Sequence, residues 1–85
     1  MWRRQAGVLT RRTPRSIVLA TTTTAEPVLL TGIALLVWQC LADEQTTDAV
    51  IQHAADTSGM TGASVAEPVR DALRQLADLG AVTAE

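Results

Sequence analysis

Apolar side chains recur along this chain in two rhythms. Up to Leu30 they come in short, β-branched-rich clusters, Gly7 to Arg12 (GVLTRR), Ser16 to Thr22 (SIVLATT) and Glu26 to Leu30 (EPVLL), parted by turn-like TPR and TTA segments. Clusters of this length and spacing predict three strands. The run Thr21 to Thr24 suits a strand end and a turn, because threonine fits a pleated, half-exposed surface. Proline has no N–H to give to a ladder, so Pro27 marks the third strand as an edge, open to a further strand.

After Leu30 the spacing becomes helical. With Thr31 as N-cap, a helix over Gly32 to Ala42 places Ile33, Leu36, Val37, Cys40 and Leu41 on one arc, Ala34 and Trp38 beside it, and Leu35, Gln39 and Ala42 opposite. A second helix, capped by Thr46 or Thr47 and running to about Thr57, buries Val50, Ile51, Ala54 and Ala55 and leaves His53 on the other face. Ser58 to Ala63, with two glycines, is a loop. Ser64 and Glu67 have the spacing of a capping box, but Pro68 would crowd that start. A start at Glu67 puts Pro68 at the favoured first helical position, and Gly80 closes the helix after Leu79.

The expected architecture is therefore α+β and winged helix-turn-helix-like, a three-stranded antiparallel sheet followed by three helices. Residues 7–82 form the domain, residues 1–6 a basic arm and residues 83–85 a tail. A chain of 85 residues makes one small domain, which buries about 60 to 65% of its unfolded surface. Phe, Tyr and Lys are absent, so Leu, Val, Ile, Ala and two Trp must fill the core.

Charge divides the chain further. Residues 1–15 carry Arg3, Arg4, Arg11, Arg12 and Arg15 and no acid, +5; residues 16–85 carry two Arg against nine acids, −7, for a net −2. The apolar run from residue 27 to 42 is shorter than the ~20 residues a bilayer needs, and Pro27 and Gly32 interrupt it. With no apolar segment ahead of a small-residue cleavage site, a cytoplasmic protein without a membrane partner is expected.

Catalytic chemistry has little to stand on here. One His, one Cys and no clustered carboxylates predict no catalytic residue, no metal, no cofactor and no enzyme. Cys40 reads as a small core hydrophobe. Neither Ser58 nor Ser64 has the Asp-Ser-Leu-like context of an acyl carrier.

The third helix offers a surface for recognition. Val69, Ala72, Leu73, Leu76 and Leu79 form a core stripe, while Arg70 and Arg74 run along its border, interleaved with Leu73 and Ala77. Such a shoulder, half apolar and half basic, suits a peptide that presents apolar side chains and acids. The alternative is that the two Arg stems only cover the core edge.

Three pieces of the chain resemble the PqqD-like family, the domains that recognise leader peptides of ribosomally synthesised peptide natural products. They are the strand ending at Leu30 that runs into TGIALLVWQCLADE, then TTDAVIQHAA, and then VRDALRQLADLGAV. Together they span residues 29–82 in the family's order. The chain departs from the family's pattern at Glu44 and Gln45, where a Gly is usual, and at Pro68, where an Asp is usual.

The resemblance implies a non-catalytic carrier that clamps a precursor's leader peptide as an added strand. Val28, Leu29 and Leu30 would supply the strand, and Arg70, Leu73, Arg74 and Ala77 the opposite wall. Affinity near micromolar, about −8 kcal/mol, is expected. A charge at Leu73, or reversal of both arginines, is expected to weaken binding without unfolding the domain.

The resemblance also implies partners, a separate leader peptidase and a cyclase or other modifying enzyme, most closely those of lasso-peptide biosynthesis. The rival reading is a winged-helix DNA-binding regulator. Nucleic acid is not the expected partner, because Arg70 and Arg74 face Glu67, Asp71 and Asp78, a net −1.

Overall fold

The computed structural model describes residues 1–22 and 26–84. The turn positions Thr23, Thr24 and Ala25, and Glu85 of the expected tail, lie outside the described residues. Strand β1 (Trp2–Arg4) is followed by β2 (Leu9–Arg12), β3 (Ile17–Ala20) and β4 (Val28–Leu30), then by helices α1 (Gly32–Cys40), α2 (Thr47–Ser58) and α3 (Gly62–Asp78), and by β5 (Val82–Ala84). The fold is α+β, as expected, with an antiparallel sheet in the order β2-β3-β4 and three helices behind it.

A second, two-stranded sheet was not foreseen. Strands β1 and β5 pair antiparallel, Trp2 opposite Ala84 and Arg4 opposite Val82, so residues expected as arm and tail are joined. Trp2 also exchanges backbone hydrogen bonds with Gln45, at 2.7 and 3.0 Å, which holds β1 between β5 and the α1–α2 turn. Val82, 2% exposed, belongs to the core, and the half-buried Trp2 packs against that core.

Hairpin geometry fixes the register of the three-stranded sheet. The Thr13 N–H donates to the Ser16 carbonyl at 2.9 Å across the Pro14-Arg15 turn. Counting from that closure, Arg12 faces Ile17, Arg11 faces Val18, Thr10 faces Leu19 and Leu9 faces Ala20; β4 then sets Leu30 against Ile17, Leu29 against Val18 and Val28 against Leu19. Ile17, Leu19 and Leu30 point into the core, 7%, 0% and 4% exposed. Leu29, alternating with Leu30, points away from it and is 60% exposed.

The helices close the core from the other side. In α1 the buried face centres on Val37 and Trp38, followed by Leu41, while Gln39 is exposed, so the apolar run is a packed helix with a polar seam. Among the described residues no helix is long and apolar enough to cross a membrane. The Thr46 hydroxyl caps α2 by accepting from the Ala49 N–H at 3.1 Å. His53 is exposed, as expected.

Helix α3 corrects its expected start. It begins at Gly62 with Thr61 as N-cap, whose hydroxyl accepts from the Ser64 N–H at 3.2 Å, and Pro68 lies inside it. Interior proline costs about 3 kcal/mol. Against that, the longer helix buries Val65, 0% exposed, in line with Val69, which is worth about 2 kcal/mol, and gains a cap worth about 1 kcal/mol. The stripe Val65, Val69, Ala72, Leu73, Leu76 thus extends a turn further back than expected. At the other end Gly80, at φ +76°, turns the chain as expected. The Gly80 N–H donates to the Ala77 carbonyl at 3.0 Å and the Ala81 N–H to the Leu76 carbonyl at 2.9 Å, the two bonds of a Schellman closure.

Candidate functional site

Among the described residues strand β4 has one neighbour, β3, and its other edge is open. In an antiparallel pair, residues alternate between those that exchange both backbone bonds with the partner and those whose N–H and C=O face away. The hairpin closure at Thr13 and Ser16 makes Arg11–Val18 a bonded pair, so Ile17 and Leu19 turn their backbone groups toward Leu30 and Val28. The N–H and C=O of Leu29 therefore face the open edge. Pro27, two residues earlier, falls in the same outward set, so the donor it lacks is one that β3 never needed. A proline that looks like a defect in a strand is, in this register, harmless to the sheet.

The four α3 residues singled out in the sequence do come together. Arg70, Leu73, Arg74 and Ala77 line one concavity of about 330 Å³, with Trp2 and Thr47 as its other walls. The Trp2 indole N–H donates to the Thr47 hydroxyl at 2.8 Å, which fixes the ring against the head of α2. The result is an apolar floor of Leu73 and Ala77, an aromatic wall, and two guanidinium groups at the rim. Val28, Leu29 and Leu30 line no part of this concavity; they contribute the open edge instead.

Two features of the concavity were not legible beforehand. Trp2 lay in the expected arm; its being one of only two aromatic side chains, with a large apolar area to bury, was the available signal. Leu73 is 1% exposed and belongs to the core as much as to the surface. A charge there would be buried without a partner, so the expectation that the domain would stay folded with such a substitution does not hold.

The rim arginines are lightly held. Arg70 lies 3.9 Å from Glu67 and Arg74 3.4 Å from Asp71, both pairs one helical turn apart and with side chains more than half exposed. Exposed pairs of this kind contribute about 0 to 1 kcal/mol, so an incoming carboxylate can replace either partner at little cost. Among the described residues no group of His, Cys, Asp and Glu could hold a metal ion. Cys40 is half-buried, and burial pushes its thiol up from its ordinary value.

Comparison with known proteins found one informative likeness. No protein-family model matches the chain, and no curated protein matches it. Among solved structures, the chain is similar to TbiB1 in complex with the TbiA(beta) leader peptide, with a TM-score of 0.82 at 17% identity, over 98% of this chain and 96% of that one. That likeness establishes a shared fold over the whole length of the chain.

Proposed function

We propose that this protein is a PqqD-like recognition domain, without catalytic activity of its own, that binds the leader peptide of a ribosomally synthesised precursor by strand addition to β4. The observation that carries the reading is the open β4 edge, where Leu29 presents a free donor and acceptor on a chain that shares its fold with a leader-binding protein. Added strands gain affinity from backbone bonds and selectivity from side-chain pockets.

The backbone contribution at this edge is thin. Leu29 supplies one N–H and one C=O and Pro27 a C=O, a few bonds at about 1 kcal/mol each. Ordering a flexible leader costs about 2 to 5 kcal/mol. The side-chain concavity between α3 and Trp2 must then provide most of the net affinity, taking an apolar leader side chain over Leu73 and Ala77 and an acidic one at Arg70 or Arg74. From this platform the leader would be passed to a separate peptidase and a cyclase or other modifying enzyme, with lasso-peptide biosynthesis the preferred setting and the cytoplasm the preferred location.

The DNA-binding alternative gains nothing from the geometry, since Arg70 and Arg74 share α3 with Glu67, Asp71 and Asp78, a net −1 where a phosphate backbone needs a basic recognition helix. Hydrogen exchange tests the proposal. Adding a synthetic leader peptide, with the TbiA(beta) leader as the first probe, should slow exchange at the Leu29 amide and shift the Trp2 indole signal. Tight binding that leaves Leu29 unprotected would refute strand addition at β4.

A further inference from the structure

The same alternation that turns Leu29 outward on β4 exposes more of the backbone on the opposite edge. In β2, Leu9 and Arg11 bond to β3, so Thr10 and Arg12 face outward with both N–H and C=O. All four β2 residues are exposed, and among the described residues β2 has no neighbour but β3. This edge offers two donors and two acceptors, where β4 offers one donor.

What lies beside it sets the chemistry. The side chains of Thr10 and Arg12 stand over a concavity of about 410 Å³ shared with Ile17, Trp38, Gln39 and Arg4. Arg4 stacks on the Trp38 ring, 4.2 Å from its centroid, and its Nε donates to the Trp38 carbonyl at 3.2 Å. The guanidinium is thereby fixed in place, partly buried, and among the described residues no carboxylate lines the cavity around it. Asp43 and Glu44 follow Ala42 in the chain but take no part in that lining. Two cations without an acid make a site for anionic side chains.

We infer that the open edge of β2 is a second strand-addition site, which takes an extended, acidic segment of a partner protein. A strand laid against β2 directs alternate side chains over the Arg4–Arg12 cavity and the others to the far face of the sheet, where Leu9 is 73% exposed. The segment it fits therefore alternates acids with apolar residues. A second copy of this chain is disfavoured, because edge-to-edge pairing would bring Arg11 and Arg12 of two copies together. Nucleic acid is disfavoured because it has no peptide backbone to complete the edge. The site is independent of the leader site proposed on β4, since it uses the opposite edge of the sheet and a different cavity.

The test is an amide-shift titration of the isotope-labelled full chain with a short synthetic peptide of alternating Glu and Val, with its Lys-Val counterpart as control. The Thr10 and Arg12 amides should shift and gain exchange protection, with Leu29 unmoved and no response to the Lys-Val peptide. Arg12→Glu should weaken binding by about tenfold or more. Thr10→Pro, which removes an N–H that β3 does not use, should weaken it several-fold while the amide spectrum stays dispersed. The inference is overturned by a response confined to Leu29 and α3, by binding unchanged in both variants, or by no response at about 1 mM peptide. It is equally overturned if an oligonucleotide titrates the same amides more tightly and with steep salt dependence, or if self-association occupies them without peptide.

Discussion

Both outer strands of the three-stranded sheet leave a row of backbone groups unpaired, yet β2 and β4 differ in nearly every other respect. Strand β4 is short and apolar, follows a proline, and turns one donor outward at Leu29. Strand β2 is wholly exposed, carries Arg11 and Arg12, and turns two donors outward at Thr10 and Arg12. Backbone capacity and side-chain selectivity thus vary independently. On the proposed reading, the edge poor in donors leaves discrimination to the cavity on α3, and the edge rich in donors leaves it to positive charge.

The largest expected effect is on the fold itself. Leu73 is the floor of the α3 cavity and also core. Leu73→Asp forfeits the 2 to 5 kcal/mol typical of emptying such a site, about the whole stability of a weak domain, and adds an unpartnered charge. Loss of a cooperative thermal transition by circular dichroism is the expected result; a folded variant would show that Leu73 is less embedded than its 1% exposure indicates.

Next comes the rim. Because both side chains are exposed, Arg70→Glu with Arg74→Glu should leave the melting curve nearly unchanged and weaken leader binding by about tenfold or more. Calorimetric titration checks it, and the wild-type affinity should fall with added salt. Reversal without effect on affinity would move the leader's side chains away from α3.

A smaller change separates the two edges from each other. Leu29→Pro deletes the one outward donor of β4 without touching the bonds to β3, and a lost bond of about 1 kcal/mol corresponds to roughly fivefold in leader affinity. The same titration with Thr10→Pro should leave leader affinity where it was. If both prolines weakened the leader equally, the edges would not be separate sites.

The smallest effect concerns a group at neither edge. Burial raises the Cys40 thiol above its ordinary 9.0, so the folded chain holds that proton more tightly than the unfolded chain. The resulting contribution is present below pH 9 and declines as pH rises through the shifted value. Alkylation by iodoacetamide at neutral pH should run slower in the native protein than in urea.

Much of the molecule was readable locally. The threonine cap of α2, the Leu76 to Gly80 closure of α3 and the stripe from Val69 to Leu76 each follow from residues within a turn or two of one another. So does the quartet Arg70, Leu73, Arg74 and Ala77, because helical periodicity places side chains on a shoulder without knowledge of the rest of the fold. The start of α3 was misplaced because the local penalty of Pro68 was weighed without the burial of Val65, a tertiary gain.

By itself, then, the sequence determined the three strands of the larger sheet and the presence and order of the three helices, which strand Pro27 leaves at an edge, and which flank of α3 mixes apolar and basic groups. Only the tertiary structure decided that Trp2–Arg4 pairs with Val82–Ala84, that Trp2 walls the α3 cavity, and that Arg4 and Arg12 share another. It also decided that Leu29, rather than Val28 or Leu30, faces outward. Contacts between the two ends of a chain have no local periodicity to announce them, and an outward-facing amide depends on a register that is counted across three strands from a single hairpin closure.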